Sequence, residues 1–158
     1  MADARFADAE AGPLMLRAED ADDLAIISAL VQDAVLPVIE ISYEATRRRL
    51  ALLINRFRWE DREAAEREGR PFERVQALLV LSDVTRLASD GVNREDRDTV
   101  LSLLSIDWQP GEDGTGTIAL RFAGDGTLAA DVECIAVDLR DVTRPYAAPS
   151  GKAPSHPD

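Results

Sequence analysis

The stretch Arg47 to Trp59, RRRLALLINRFRW, constrains this chain more than any other. Side chains alternate along a strand, so the stretch divides into two surfaces. One carries Leu50, Leu52 and Ile54, then Arg56 and Arg58. The other carries Ala51, Leu53, Asn55, Phe57 and Trp59. The middle is apolar on both faces, which predicts a central strand covered on both sides. After Ile54 one face turns cationic and the other turns polar, then aromatic. The strand is expected to leave the core there and reach a rim.

The flanking sequence supplies partners for it. Residues 1–12 are rich in Ala and Asp and read as a flexible leader. Leu14 to Leu16 suggests an edge strand. Asp20 stands where a helix N-cap belongs, with Asp22 and Asp23 in the first turn. Leu24, Ile27, Leu30, Val31 and Ala34 follow at helical spacing, so a helix should run to about Ala34, before Pro37. Val38 to Tyr43 alternates and turns through Glu44-Ala45-Thr46 into the central strand as a hairpin. Glu60 to Arg70 is charged, either an exposed helical excursion or a loop. Phe72 to Thr85 returns as a strand, with Val75, Ala77, Leu79 and Leu81 on one face.

In the second half, Glu95, Asp96 and Asp98 are expected to open a short helical turn ending near Leu101. Leu104, Ile106 and Trp108 then alternate with polar residues. After a loop from Pro110 to Gly116, Ile118, Leu120 and Phe122 form a half-buried antiparallel strand. Gly124-Asp125-Gly126 supplies the positive φ of a tight hairpin. The last strand changes parity, from Leu128, Ala130, Val132 and Cys134 to Ile135, Val137 and Leu139, which predicts a β-bulge at Cys134–Ile135. Cys134 is expected in the core. Residues 143–158, rich in Pro, read as a disordered tail.

The fold class that follows is α+β: a single domain over residues 13–142 with a mainly antiparallel sheet of six to seven strands. One N-terminal helix and a second short helix accompany it. The two halves order alike, which predicts a duplicated α-β-β-β unit. A rolled sheet or open barrel would remove the edges. The segments RRRLALLINRFRWE, FERVQALLVLSDV, LSLLSIDW with GTGTIALRF, and DVECIAVDLRDV resemble a family of small bacterial proteins, the domain of unknown function DUF2948. The resemblance covers most of Met15 to Val142. It implies no activity, because the family carries none to transfer.

Composition excludes more than it assigns. From Met1 to Val142 there is no His and no Lys; Lys152 and His156 lie in the tail. That leaves no body residues for a Ser-His-Asp or Cys-His pair, a Schiff base or a phosphate-binding loop lysine. One Cys and one His leave no structural zinc site. No catalytic residue, metal or cofactor is therefore assigned. The single Cys fits a reducing compartment, no apolar run nears the length of a membrane span, and a cytoplasmic protein is expected. A net charge of −12 disfavours nucleic acid and anionic membranes. Nine of the 18 basic residues nonetheless lie between Arg47 and Arg74, the region through which single-stranded nucleic acid would bind.

Two acidic clusters, Glu19-Asp20-Asp22-Asp23 and Glu95-Asp96-Asp98, could hold Mg²⁺ in a carboxylate-based enzyme. Both also sit where helix caps belong. The constellation singled out for binding is Asn55, Arg56, Arg58 and Trp59, beside Phe57. Guanidinium groups and an aromatic ring could take an anion or a carboxylate of a protein partner or acidic segment. Alternatively the arginines pair with Glu60, Asp61 or Glu73 while Phe57 and Trp59 cap the core. The function expected is a non-enzymatic binding module.

Overall fold

The structure is a computed structural model that describes residues 12–93 and 95–155. The expected leader, apart from Gly12, and His156 lie outside the described residues. The described chain forms one antiparallel sheet of eleven strands with two α-helices. The strand count therefore exceeds the six to seven expected.

The first helix is capped as its sequence dictates. Asp20 is extended and its side chain accepts the N–H of Asp23 at 2.8 Å. Helix α1 runs Ala21–Leu30, ending four residues earlier than its apolar stripe, yet Leu24, Ile27, Leu30, Val31 and Ala34 are all buried. It packs across β1 (Met15–Ala18) and β7 (Val100–Pro110).

The organising stretch forms β4, Arg49–Phe57. It pairs with β5 (Glu73–Leu81) from Leu50↔Leu81 to Phe57↔Arg74. Along its other edge lie β3 (Ile41–Glu44) and β2 (Val35–Pro37). A 3-10 turn, Ala45–Arg47, closes the β3–β4 hairpin, with Arg48 left-handed at φ 55. Leu50, Leu52, Ile54, Ala77, Leu79 and Leu81 are fully buried on one face. The opposite face is not covered as expected: Ala51, Leu53, Leu78 and Val80 remain half-buried.

The full order is β1-β10-β5-β4-β2-β7-β8-β9-β6, where β6 is Val84–Asp90, β8 Gly116–Phe122, β9 Thr127–Val132 and β10 Val137–Asp141. Strand β7 joins the halves, pairing with β2 over Val100–Ser102 and with β8 from Leu103 onward. Gly124 (φ 83) and Asp125 (φ 69) make the β8–β9 hairpin as expected.

Several expectations change. The acids at 95–98 open no helix; the chain enters β7 at Val100 because its apolar residues alternate rather than recur at 3.6. The second helix is α2, Arg62–Glu68, ended by left-handed Gly69. The duplicated unit thus loses its second helix, while the meanders β3–β4–β5 and β7–β8–β9 remain. The predicted bulge at Cys134–Ile135 is a break between β9 and β10, across which the chain changes strand partner from β8 to β5. Cys134 sits in that corner, exposed rather than in the core, its thiol 3.5 Å from Asp83 Oδ2. Within the expected tail, β11 (Tyr146–Ala147) pairs with β5 and Ala148 is buried.

Candidate functional site

The end of β4 is built around a buried charge. Parity places Arg56 on the core face with Leu50, Leu52 and Ile54, and its side chain is 0 % exposed. The chain then enters a 3-10 turn, Trp59–Asp61, which brings Glu60 back under Arg56. Asp141 arrives from the end of β10. Two forks result. Arg56 Nη1 and Nη2 donate to Glu60 at 2.8 and 2.7 Å. Its Nε and Nη2 donate to Asp141, both at 3.0 Å. The Glu60 and Asp141 side chains are 0 % and 2 % exposed. Burial opposes the Arg56 charge, but the hydrogen bonds to Glu60 and Asp141 outweigh it and hold the guanidinium above its ordinary value. Asp141 also accepts the N–H of Leu14 at 2.9 Å, tying β1 to the cluster.

Arg58 lies beside this cluster and is 11 % exposed. Its N–H donates to the Glu73 carbonyl and its Nη1 pairs with Glu73 and, at 3.7 Å, with Asp61. Asp61 in turn accepts two bonds from Arg70, each 3.1 Å. That contact with Arg70, joined by Arg58 and only partly offset by burial, lowers the Asp61 carboxyl below its ordinary value of 3.8. Asn55 is held inside another junction. Its Oδ1 accepts from Arg74 Nε at 2.6 Å, and its amide donates to the Tyr146 hydroxyl, fastening β11 to β4 and β5. Burial lowers the Arg74 guanidinium below its ordinary value.

The aromatic side is organised by Phe57, which is fully buried. Trp59 meets it edge-on at 4.7 Å, Phe72 packs at 5.7 Å, and the Trp59 indole N–H donates to the Gln32 carbonyl at 2.9 Å. The other side of the Trp59 ring faces Arg62, whose guanidinium lies 5.9 Å from its centroid.

The four residues singled out from sequence therefore gather at one end of β4 but play different parts. Arg56 and Asn55 are tied up internally, while Arg58, paired with Glu73 and Asp61, and Trp59 border open space. That space is a cavity of about 730 Å³ between the 3-10 turn and α2. Its lining sets Arg58, Arg62, Arg67 and Arg70 beside Glu60, Asp61 and Glu63. Arg62 pairs loosely with Glu66 at 3.4 Å, and Arg70 is held by Asp61 and Glu68. The Arg67 side chain makes no hydrogen bond or ion pair among the described residues. Arg62, Arg67 and Arg70 stood in the sequence as charges of an excursion, without a feature marking a wall. Asp141 was findable: it continues the core parity of Val137 and Leu139.

Among the described residues no three His, Cys, Asp or Glu side chains are grouped to hold a metal ion. Desolvation, and after it Asp83, raises the Cys134 thiol above its ordinary value, which opposes a reactive thiolate. No helix of the described residues is long and apolar enough to cross a membrane.

Comparison with known proteins gives a family and no function. Neither the curated proteins nor the solved structures contain a match to this chain. A family model does match, over residues 14–156, from the start of β1 to beyond β11. The chain belongs to that family, described as protein of unknown function (DUF2948).

Proposed function

We propose that this chain is a non-enzymatic binding module of the bacterial cytoplasm whose partner is a protein segment bearing a carboxylate. The observation that carries the reading is Arg67, an unpaired guanidinium on the wall of an open cavity that also presents the Trp59 ring. A carboxylate would take a bidentate fork from Arg67, and an apolar or aromatic neighbour would lie against Trp59 and Arg62. Arg56 and Asn55 serve by fixing the strand end behind the cavity, which Arg58 lines. The overall charge of −12 favours a local, short-range contact over general attraction of polyanions. The single Cys and the resemblance to bacterial proteins support the compartment.

The same reading takes the sheet as rolled towards an open barrel built from two related meanders. Support comes from Val84, whose N–H donates to the Arg48 carbonyl at 2.9 Å and so draws the β6 end of the sheet to the β3–β4 turn.

The test is an NMR titration with an acidic peptide containing one Phe, with a single-stranded oligonucleotide in parallel. The expected result is shifts at the Trp59 indole and the Arg62 and Arg67 side chains, lost in R62E/R67E with folding intact. Equal shifts in that variant, no shifts with the peptide, or tighter binding of the oligonucleotide would each overturn the reading.

A further inference from the structure

A second cleft, sharing no residue with the first, lies where two edge strands of the sheet, β3 and β6, approach each other. Strand β3 pairs only with β4, and β6 pairs only with β9. No ladder joins β3 to β6 among the described residues. The gap is closed at one end by the Val84–Arg48 backbone bond. At the other end the loop before β7 is pinned: Val38 and Ile39 N–H groups donate to the carbonyls of Thr99 and Arg97, at 2.9 and 3.0 Å. Between these ties is a cavity of about 380 Å³, within the size range of small-molecule sites, about 300–1,000 Å³.

Its body is apolar. Val38, Ile41, Leu87, Val92 and Leu128 line it, and all five belong to the core or pack against it. Val92 is set in place by the turn before it. Gly91 has φ 71, and a Cβ there would stand 3.2 Å from the Asp125 carbonyl oxygen, so the loop lies tightly on the β8–β9 hairpin. Three polar side chains complete the lining: Tyr43, Ser89 and Arg97. None of the three makes a side-chain hydrogen bond or ion pair among the described residues. An apolar trough with one unpaired cation and two idle hydroxyls is the arrangement that orients an amphipathic anion.

We infer that this cleft binds a small carboxylic acid with an aliphatic or aromatic body, the carboxylate on Arg97 and the body along Ile41, Leu87 and Val92. A monoanion fits better than a phosphate dianion, because one guanidinium supplies the positive charge and the protein as a whole is strongly acidic. Tyr43 and Ser89 line the same cleft with hydroxyls that can donate to a carboxylate.

The test uses octanoate and phenylacetate, with octanamide and phenylacetamide as uncharged counterparts, on the full chain. Methyl NMR signals of Ile41, Leu87, Val92 and Leu128 report occupancy. Both acids should shift these signals in the wild type. R97Q, a change at an exposed loop position, should weaken them at least tenfold with an unaltered melting temperature. S89F, which fills the trough from an exposed strand position, should abolish the shifts. The inference is overturned if the acids leave the methyls unmoved, if R97Q binds them as well as wild type does, or if the amides bind equally. Any of these would leave the reading of the Arg67 cavity standing.

Discussion

Replacing Arg56 by Met should destabilise the protein severely, and the amount follows from what is left behind. The guanidinium is the shared ion-pair partner of two carboxylates whose side chains are 0 % and 2 % exposed. Met fills similar volume, so little packing is lost. Asp141 would remain in the interior without a counter-charge, and Glu60 would keep only the 3.8 Å contact with Arg58. Breaking a buried pair in this way costs about 3–5 kcal/mol. For a domain of this size each kcal/mol moves the midpoint by about 2–4 °C, so the melting temperature should fall by roughly 6–20 °C. Urea unfolding followed by circular dichroism should show a lower midpoint with an unchanged slope. The triple variant R56M/E60Q/D141N should be more stable than R56M alone, because the cost resides in the stranded charges. Recovery would be partial, since the amides still need partners, at about 1–3 kcal/mol for each left unmet. A loss below about 1 kcal/mol for R56M, or a triple variant as unstable as the sum of its parts, would refute the reasoning.

Three further outcomes are expected. G116A should cost roughly 1–3 kcal/mol by overpacking, since a Cβ there would stand 2.5 Å from the Gln109 carbonyl oxygen and against the Trp108 ring; differential scanning calorimetry reads it. The Asp61 carboxyl is lowered in the fold, so it contributes stability above its unfolded value that is lost as pH falls through the folded one. The melting-temperature gap between wild type and D61N should accordingly be present at neutral pH and close as pH drops below 3.8. Cys134, although exposed, should react with a disulfide reagent at neutral pH more slowly than a free thiol, and D83N should speed it.

Much of this architecture is legible along the chain where local and global signals agree. Asp20 followed by an apolar stripe specified α1, and Gly124-Asp125-Gly126 specified the β8–β9 hairpin. The two-faced apolar runs specified β4 and β5 as neighbours. Strand β6 was not legible, because Thr85, Arg86, Ala88 and Ser89 are exposed and Val84 and Leu87 are its only apolar positions packed on the core. An edge strand with so few apolar positions reads as loop. Strand β11 is two residues long and sits among prolines, so its pairing depends on β5 rather than on its own pattern. The charged end of β4 was legible by parity and misleading by charge. Parity put Arg56 on the core face; its charge suggested a rim. What reconciles them is Asp141, 85 residues away, together with Glu60 four residues on. Long-range ion pairing of this kind leaves almost no local trace. The cavity wall on α2 was hidden for a related reason, since a charged helix face looks the same whether its guanidiniums are paired or open.

The central claim is that Arg56 at the end of β4 is interior scaffolding, while Arg62 and Arg67 on α2 and Arg97 in the loop before β7 are available to a ligand. Modification of the folded protein with an arginine-selective dicarbonyl, mapped by mass spectrometry, measures this directly. Arg62, Arg67 and Arg97 should be modified rapidly, while Arg56 stays intact until denaturant is added. Modification of Arg56 in the folded protein at a rate comparable to that of Arg67 would contradict the account.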